Sequence, residues 1–193
     1  MTEDNKSEEE IVFHERTEMI FKIIVVGDPA VGKTSLLRKF SSEKFEYEYI
    51  PTVGVNIVKE QIAIKDNTGK DVTVSLMLWD IAGQPQFYML HRPYFNGADG
   101  IMLVYDTTRS SSFSNINNWW QTCVKYALSS APRILIGNKV DLRDERKIIL
   151  PMAEHLSQKI SAQFYETSAL SGENVKALFQ KMAELALSSK LKD

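Results

Sequence analysis

One cysteine, Cys123, stands in the whole chain, so no intrachain disulfide can form and a reducing compartment is expected. No apolar run approaches the roughly 18 residues needed to cross a bilayer. The opening residues MTEDNKSEEE lack the charged-then-apolar plan of a signal peptide, and Thr2 stands where N-myristoylation would need glycine. A basic surplus is missing as well: the formal net charge is −2, which gives no reason to expect a nucleic-acid partner. Internal repeats and a linker that would divide the chain are absent too. What these absences leave is a cytoplasmic protein of 193 residues, 44% hydrophobic and 25% charged, sized for one domain with a real core.

Residues 1–18 are polar and acid-rich and read as a mobile tail. MIFKIIVVG then forms a continuous apolar run ended by glycine, the mark of a strand buried on both faces. TSLLRKFSSEKF continues as a helix and FEYEYIPTVG as a loop. VNIVKEQIAIKD and DVTVSLMLWD alternate around the turn DNTGK and predict a hairpin, with Val72, Val74, Leu76 and Leu78 on one face. QPQFYMLHRPYFNGA reads as loop and helix, DGIMLVYD as a buried strand. SSSFSNINNWWQTCVKYAL predicts a helix opened by serine caps, with a stripe of Phe113, Ile116, Trp120, Cys123 and Ala127. RILIGNKVD is a further strand, LPMAEHLSQKIS a helix with Pro151 in its first turn, AQFYETSAL a last strand, and NVKALFQKMAELALSSK a final helix. Its stripe is Val175, Leu178, Phe179, Met182 and Leu185. Strands alternating with helices, plus one hairpin, imply an α/β fold of three layers around a mostly parallel sheet.

Gly27 to Thr34, GDPAVGKT, match G-x-x-x-x-G-K-[ST] after a strand and before a helix. A chance match in a chain of this length is on the order of one in 150, and an ordinary glycine turn would not explain the Lys-Thr pair. Asp28, Pro29, Ala30, Val31 and Gly32 would wrap N–H groups around phosphates at a helix N-terminus, except that Pro29 has no N–H. Lys33 would bridge the β- and γ-phosphates, and the Thr34 hydroxyl would ligate Mg²⁺. The base is chosen elsewhere. In GNKVD, Asp141 can accept both the N1–H and the exocyclic amino hydrogens of guanine, with Asn138 holding the loop and the Lys139 stem covering one ring face. In WDIAGQP, Asp80 ends a strand where it can hold Mg²⁺ through water, Gly83 can offer an N–H to a γ-phosphate, and Gln84 can orient an attacking water.

Taken together, Gly27–Thr34, Thr52, Asp80–Gln84, Asn138–Asp141 and Ser168–Ala169 resemble a Ras-superfamily small GTPase over about residues 19 to 187. The branch most resembled is Rab: TVGVN is similar to its T-I-G-V-D segment and YFNGA to Y-Y-R-G-A, while the short spacing from Asn138 to Ser168 leaves no room for the Rho insert. The resemblance implies a P-loop NTPase G domain, with a six-stranded mostly parallel sheet carrying one antiparallel hairpin strand and about five helices. Residues 188–193 would be a short end. It further implies that Phe45 packs on the guanine opposite Lys139, and that Thr52 ligates Mg²⁺ and meets the γ-phosphate. Tyr49 would close over the nucleotide, Ser35 would contact the α-phosphate, and the Ala169 N–H would bond the guanine oxygen. Ile57, Trp79 and Tyr94 stand where Rab proteins keep an apolar triad read by effectors. Catalysis would rest on Gln84, Lys33 and Thr52, with GTP or GDP and Mg²⁺ bound and with effector, exchange-factor and GTPase-activating proteins as partners of a monomer.

Departures from the pattern bear on function. Leu170 replaces the usual lysine of S-A-K, Asn56 and Ile57 replace an acid and a phenylalanine, Ile81 replaces threonine and Pro85 replaces glutamate. No cysteine follows Cys123 and LALSSKLKD holds no polybasic cluster, so membrane contact is expected only through a protein partner, at the periphery of internal membranes if anywhere. His14, His91 and His155 lack ligand spacing, Cys123 reads as core, and one of Trp119 and Trp120 is expected inward. A molecular switch is the reading favoured by Gln84, Thr52, Lys33 and Asp80; a nucleotide-locked scaffold with little turnover is the alternative. An adenine-nucleotide kinase is opposed by Asn138–Asp141.

Overall fold

The computed structural model describes residues 19–41, 54–66, 68–83 and 91–191, with only the backbone at His91. The tail expected over residues 1–18, the loop expected to carry Phe45, Tyr49 and Thr52, and the residues Gln84 and Pro85 lie outside the described residues. Six strands form one sheet in the order β2-β3-β1-β4-β5-β6. They are β1 Met19–Val26, β2 Val55–Lys65, β3 Asp71–Ile81, β4 Gly100–Asp106, β5 Arg133–Asn138 and β6 Gln163–Thr167. Only β2 and β3 run antiparallel, from Val55 opposite Ile81 to Lys65 opposite Asp71; the other four pairings are parallel. Asp66 closes this hairpin, its Oδ1 accepting from the Thr68 N–H, the Thr68 hydroxyl and the Lys70 N–H.

The helices are α1 Lys33–Phe40, α2 His91–Phe95, α3 Ser110–Ser114, α4 Ile116–Lys125, α5 Leu150–Lys159 and α6 Val175–Lys190. Only Asn115 divides α3 from α4, so these two make one kinked unit and the described helical units number five, as expected. A short 3-10 turn lies at Arg143–Glu145. Alternation along the strands explains the apolar runs. Ile23 and Val25 face a layer holding Leu36 and Leu37 of α1 and Leu178, Phe179 and Met182 of α6. Ile24 and Val26 face a layer with Ile116, Trp119 and Cys123 of α4 and Ala153 and Leu156 of α5. Phe40 stacks on Phe179 with ring centroids 4.1 Å apart, tying α1 to α6. Each fully buried Leu, Ile, Val, Phe or Met among these contributes about 1.5–3 kcal/mol.

Three local expectations are corrected. The N-cap of α3 is Arg109, with no side-chain cap; Ser112 instead turns back, donating to the Arg109 carbonyl at 2.8 Å and accepting from the Asp106 N–H. On α4 the buried tryptophan is Trp119, while Trp120 lies partly exposed over the Arg133 guanidinium, 4.2 Å from its ring centre. Ala127 is exposed at φ 63°, because the helix has already ended, and Leu128 takes the core position.

Candidate nucleotide site

The chain passes from β3, on one side of β1, to β4 on the other, so connections diverge from the carboxyl end of β1. Open α/β sheets bind ligands at such a switch point. Every parallel strand delivers something there: β1 the phosphate loop Gly27–Gly32, β3 Asp80, β4 Asp106, β5 Asn138, and β6 Ser168 just beyond its end.

Lys33 opens α1 and is only 6% exposed. Its ammonium donates to the Gly27 carbonyl at 2.8 Å and the Asp28 carbonyl at 3.0 Å. Burial pushes its pKa down to about 8, against the pull of Asp80 and Asp28 and with a small push from Arg109. The Thr34 hydroxyl donates to the fully buried Asp80 carboxylate. A hydroxyl and a carboxylate side by side are the hard oxygen donors that Mg²⁺ prefers. Gly32 has φ 100°, and a Cβ there would come within 2.2 Å of Asn138 Nδ2. Gly83 lies flat on the loop, where a Cβ would meet the Gly27 oxygen at 2.4 Å and the Pro29 nitrogen at 2.6 Å. The cradle therefore admits backbone and a ligand but no side chain at either glycine, which fits a phosphate chain.

Side chains around the loop are committed outward. The Asp28 carboxylate accepts from Trp119 Nε1 at 3.0 Å and from Asn115 Nδ2. The Pro29 carbonyl accepts from Arg109 Nη2 at 2.6 Å, Ala30 sits at φ 61°, and the Val31 side chain is buried in the core. This leaves backbone groups, not side chains, to line the cradle at these four positions.

Asn138 joins the two halves of the site. Its Nδ2 donates to the Val31 carbonyl at 2.9 Å, while its Oδ1 accepts from the Ala169 N–H and the Thr167 hydroxyl, each at 3.2 Å. Asp141 Oδ1 accepts from the Ser168 hydroxyl at 2.5 Å, and Ser168 Oγ accepts in turn from the Ser171 N–H at 3.0 Å. Lys139, at φ 70°, places its ammonium 2.7 Å from Asp106. Burial raises the Asp106 carboxyl, but the Lys139 and Thr108 bonds outweigh it and hold the group below its ordinary value. Between these loops opens a cavity of about 250 Å³, lined on one side by Gly32 and Ser35 and on the other by Lys139, Asp141, Ala169 and Leu170. Leu142 lines it too.

A second grouping forms on the sheet face. Ile57 lies opposite Trp79 in the hairpin register, and Trp79 meets Tyr94 with ring centroids 6.2 Å apart. Lys22 sits 4.1 Å over the Trp79 ring, anchored by the Asn96 carbonyl, and Ile57 is 43% exposed. The structure thus brings Gly27–Ser35, Asp80, Gly83, Asn138–Asp141 and Ser168–Leu170 together in one place and Ile57, Trp79 and Tyr94, the residues expected to meet effectors, in another. Phe45, Tyr49, Thr52 and Gln84 are outside the described residues. Sequence reasoning missed Asp106, Arg109 and Leu142. The signal for the first two was a polar run, DTTR, directly after a buried strand.

The family model described as Ras family matches residues 22–188. The chain belongs to the Ras family. This small GTPase is 38% identical over 168 residues to the Ras-related protein SEC4 of Candida albicans, a match covering 87% of this chain and 78% of that protein. It is also 38% identical over 164 residues to the Ras-related protein Rab-13 of Rattus norvegicus, covering 85% and 78%. With the Ras-related protein Rab-1 of Theileria annulata it shares 39% over 168 residues, covering 86% and 74%. The likeness places the small GTPase in the Rab branch, and hydrolysis of GTP is the activity of that class. Its sheet, with one antiparallel pair, is the Ras-type G domain expected from the motifs.

Proposed function

We propose that this chain is a guanine-nucleotide switch that binds GTP and GDP with Mg²⁺ and hydrolyses GTP slowly. The observation that carries the reading is the double engagement of Asn138, which bonds the phosphate loop through Val31 and the base loop through Ala169. Through it, Lys33 and Asp141 belong to one site. Asp141 reads the guanine edge, the Ala169 N–H is shared between Asn138 Oδ1 and the guanine oxygen, and the Lys139 stem and Phe45 cover the two ring faces. Lys33 holds the β- and γ-phosphates, while Ser35 lies toward the α-phosphate and Tyr49 closes over the nucleotide. Thr34, Thr52 and, through water, Asp80 would hold the metal, which when bound neutralises charge on the β- and γ-phosphates. Gly83 offers its N–H to the γ-phosphate and Gln84 orients the attacking water.

With the γ-phosphate lost, the contacts of Thr52 and Gly83 go with it, and partners that read Ile57, Trp79 and Tyr94 distinguish the two states. Exchange, activating and effector proteins are the partners such a switch needs, and Rab membership supports a role of a monomer in intracellular trafficking or signalling. No described helix is long and apolar enough to cross a membrane. A net charge of −2 gives little electrostatic pull toward anionic lipid, so contact with internal membranes is proposed to run through a protein partner.

Nucleotide extracted from the purified protein and separated by chromatography tests the reading: guanine nucleotide is expected, and adenine nucleotide would sink it. Single-turnover hydrolysis is expected on the order of 10⁻⁴ to 10⁻² s⁻¹, slowed further by Gln84→Leu with binding intact.

A further inference from the structure

The loop after β4 touches both halves of the site, and the switch reading leaves it without a role. Asp106 closes on Lys139, and three residues later Arg109 Nη2 donates to the Pro29 carbonyl at 2.6 Å. Arg109 is half-buried, and among the described residues its Nε is buried without a hydrogen-bond partner. The nearby carboxylates are occupied elsewhere: Asp28 by Trp119 and Asn115, Asp106 by Lys139 and Thr108. Among the described residues the guanidinium is thus directed at one carbonyl of the phosphate loop.

That carbonyl shares its peptide unit with the Ala30 N–H. A trans peptide points its C=O and N–H in opposite directions, so the group that grips the Pro29 oxygen from outside turns the Ala30 N–H to the other side. The conformation is not one that alanine adopts freely: at φ 61° Ala30 is left-handed, and a non-glycine residue stays there only where its surroundings hold it. A charge-assisted bond on the oxygen also polarises the amide and strengthens the N–H as a donor. The preceding residue, Pro29, has no N–H to offer, so the Ala30 donor matters more.

We propose that Arg109 is a positioning residue for the nucleotide, clamping the Pro29–Ala30 peptide so that the Ala30 N–H is aimed at, and strengthened toward, the β–γ end of a bound nucleoside triphosphate. The inference rests on the guanine-nucleotide reading of the same site. It predicts an effect that depends on the terminal phosphate. GDP lacks the γ-phosphate and uses this donor less, so loss of the clamp weakens the triphosphate state preferentially and biases the switch toward GDP.

The test compares wild type, Arg109→Ala, Arg109→Lys and the pair Ala30→Gly and Ala30→Gly/Arg109→Ala. Dissociation of fluorescent GDP and of a fluorescent non-hydrolysable GTP analogue is measured, with the Ala30 amide proton followed by NMR in the analogue-bound state. Arg109→Ala is expected to speed release of the GTP analogue by about tenfold, with a smaller change for GDP, and to shift the Ala30 amide upfield. Arg109→Lys should restore part of both. With glycine at position 30 the left-handed conformation needs no clamp, so removing Arg109 there should change release less. Equal acceleration for both nucleotides with an unmoved Ala30 amide would mark Arg109 as merely structural and overturn the proposal, as would unchanged rates in Arg109→Ala. Failure of wild type to bind either guanine nucleotide would overturn the functional reading, and the proposal with it.

Discussion

A lysine ammonium only 6% exposed is a costly group, and Lys33 tolerates burial because the Gly27 and Asp28 carbonyls accept from it and Asp80 lies near. Its pKa, down from 10.5 to about 8, dictates two pH effects of opposite sign. In the nucleotide-free protein the burial of a charged Lys33 opposes folding below about pH 8. Between 8 and 10.5 the unfolded chain binds more protons than the folded one, so that cost is relieved as pH rises through this window. A bound phosphate chain would restore the proton, so nucleotide affinity should fall as pH rises above about 8, approaching tenfold per unit, with proton uptake on binding. Calorimetry in buffers of different ionisation enthalpy checks this, and the decline should begin before the guanine ring itself ionises. A flat affinity between pH about 7 and about 9 would mean that Lys33 keeps its charge throughout. Asp141 allows a sharper substitution. Asp141→Asn exchanges an acceptor for a donor, which should favour xanthine over guanine nucleotides and cost GTP binding about 1.5–3 kcal/mol, at least tenfold in affinity. Competition titrations with both nucleotides measure it, and undiminished GTP affinity would take Asp141 out of the base site.

At the scale of elements, α4 shows where sequence periodicity fails. Counting from Phe113 put Trp120 on the buried stripe; Ile116 and Cys123 of that stripe are buried, but Trp120 lies at its edge and packs only partly against the core. Ile116, Trp119 and Cys123 also fit a helical face, so spacing alone does not choose between the two tryptophans. Polar chemistry does. A buried indole needs a partner for its N–H, and Trp119 finds one in Asp28 of the phosphate loop, whereas Trp120 stays partly exposed at the edge of the core, over Arg133. The same bond makes α4 a support for the cradle. Trp119→Phe keeps most of the apolar volume but removes a hydrogen bond to a charged group, with an expected loss of about 1.5–3 kcal/mol. Trp119→Ala adds a cavity and should lose about 3–5 kcal/mol. Denaturant titration of both variants gives the stabilities. Nucleotide release from Trp119→Phe should also be faster, because among the described residues Asp28 then keeps only the Asn115 bond; unaltered release would limit Trp119 to a packing role.

At the scale of the whole molecule, the central strands were legible because burial on both faces writes continuous apolar runs, as in IIVV and GIMLVY. The phosphate and base loops were legible because their chemistry needs fixed spacings. Asp106 and Arg109 were not, since their roles arise only when the sheet order sets β4 beside β1 and brings DTTR against both loops. Long-range closure of this kind also means that a ligand should stabilise the fold as a unit, because Asn138 links the phosphate loop after β1 to the base loop after β6. A ligand at a hundredfold excess over its Kd adds about 2.7 kcal/mol to the folded state. For a domain of this size that corresponds to roughly 5–10 °C in Tm. Thermal unfolding of nucleotide-free protein should therefore shift upward by that amount with GDP and Mg²⁺. Chelation of the metal should reverse most of the gain, because Thr34 and Asp80 then face the phosphates without the charge they would share. ATP under the same conditions should give no comparable shift, since adenine has neither the N1–H nor the 2-amino group from which Asp141 would accept. An equal rise with ATP would show that the phosphate loop alone drives binding and that the base pocket does not select guanine.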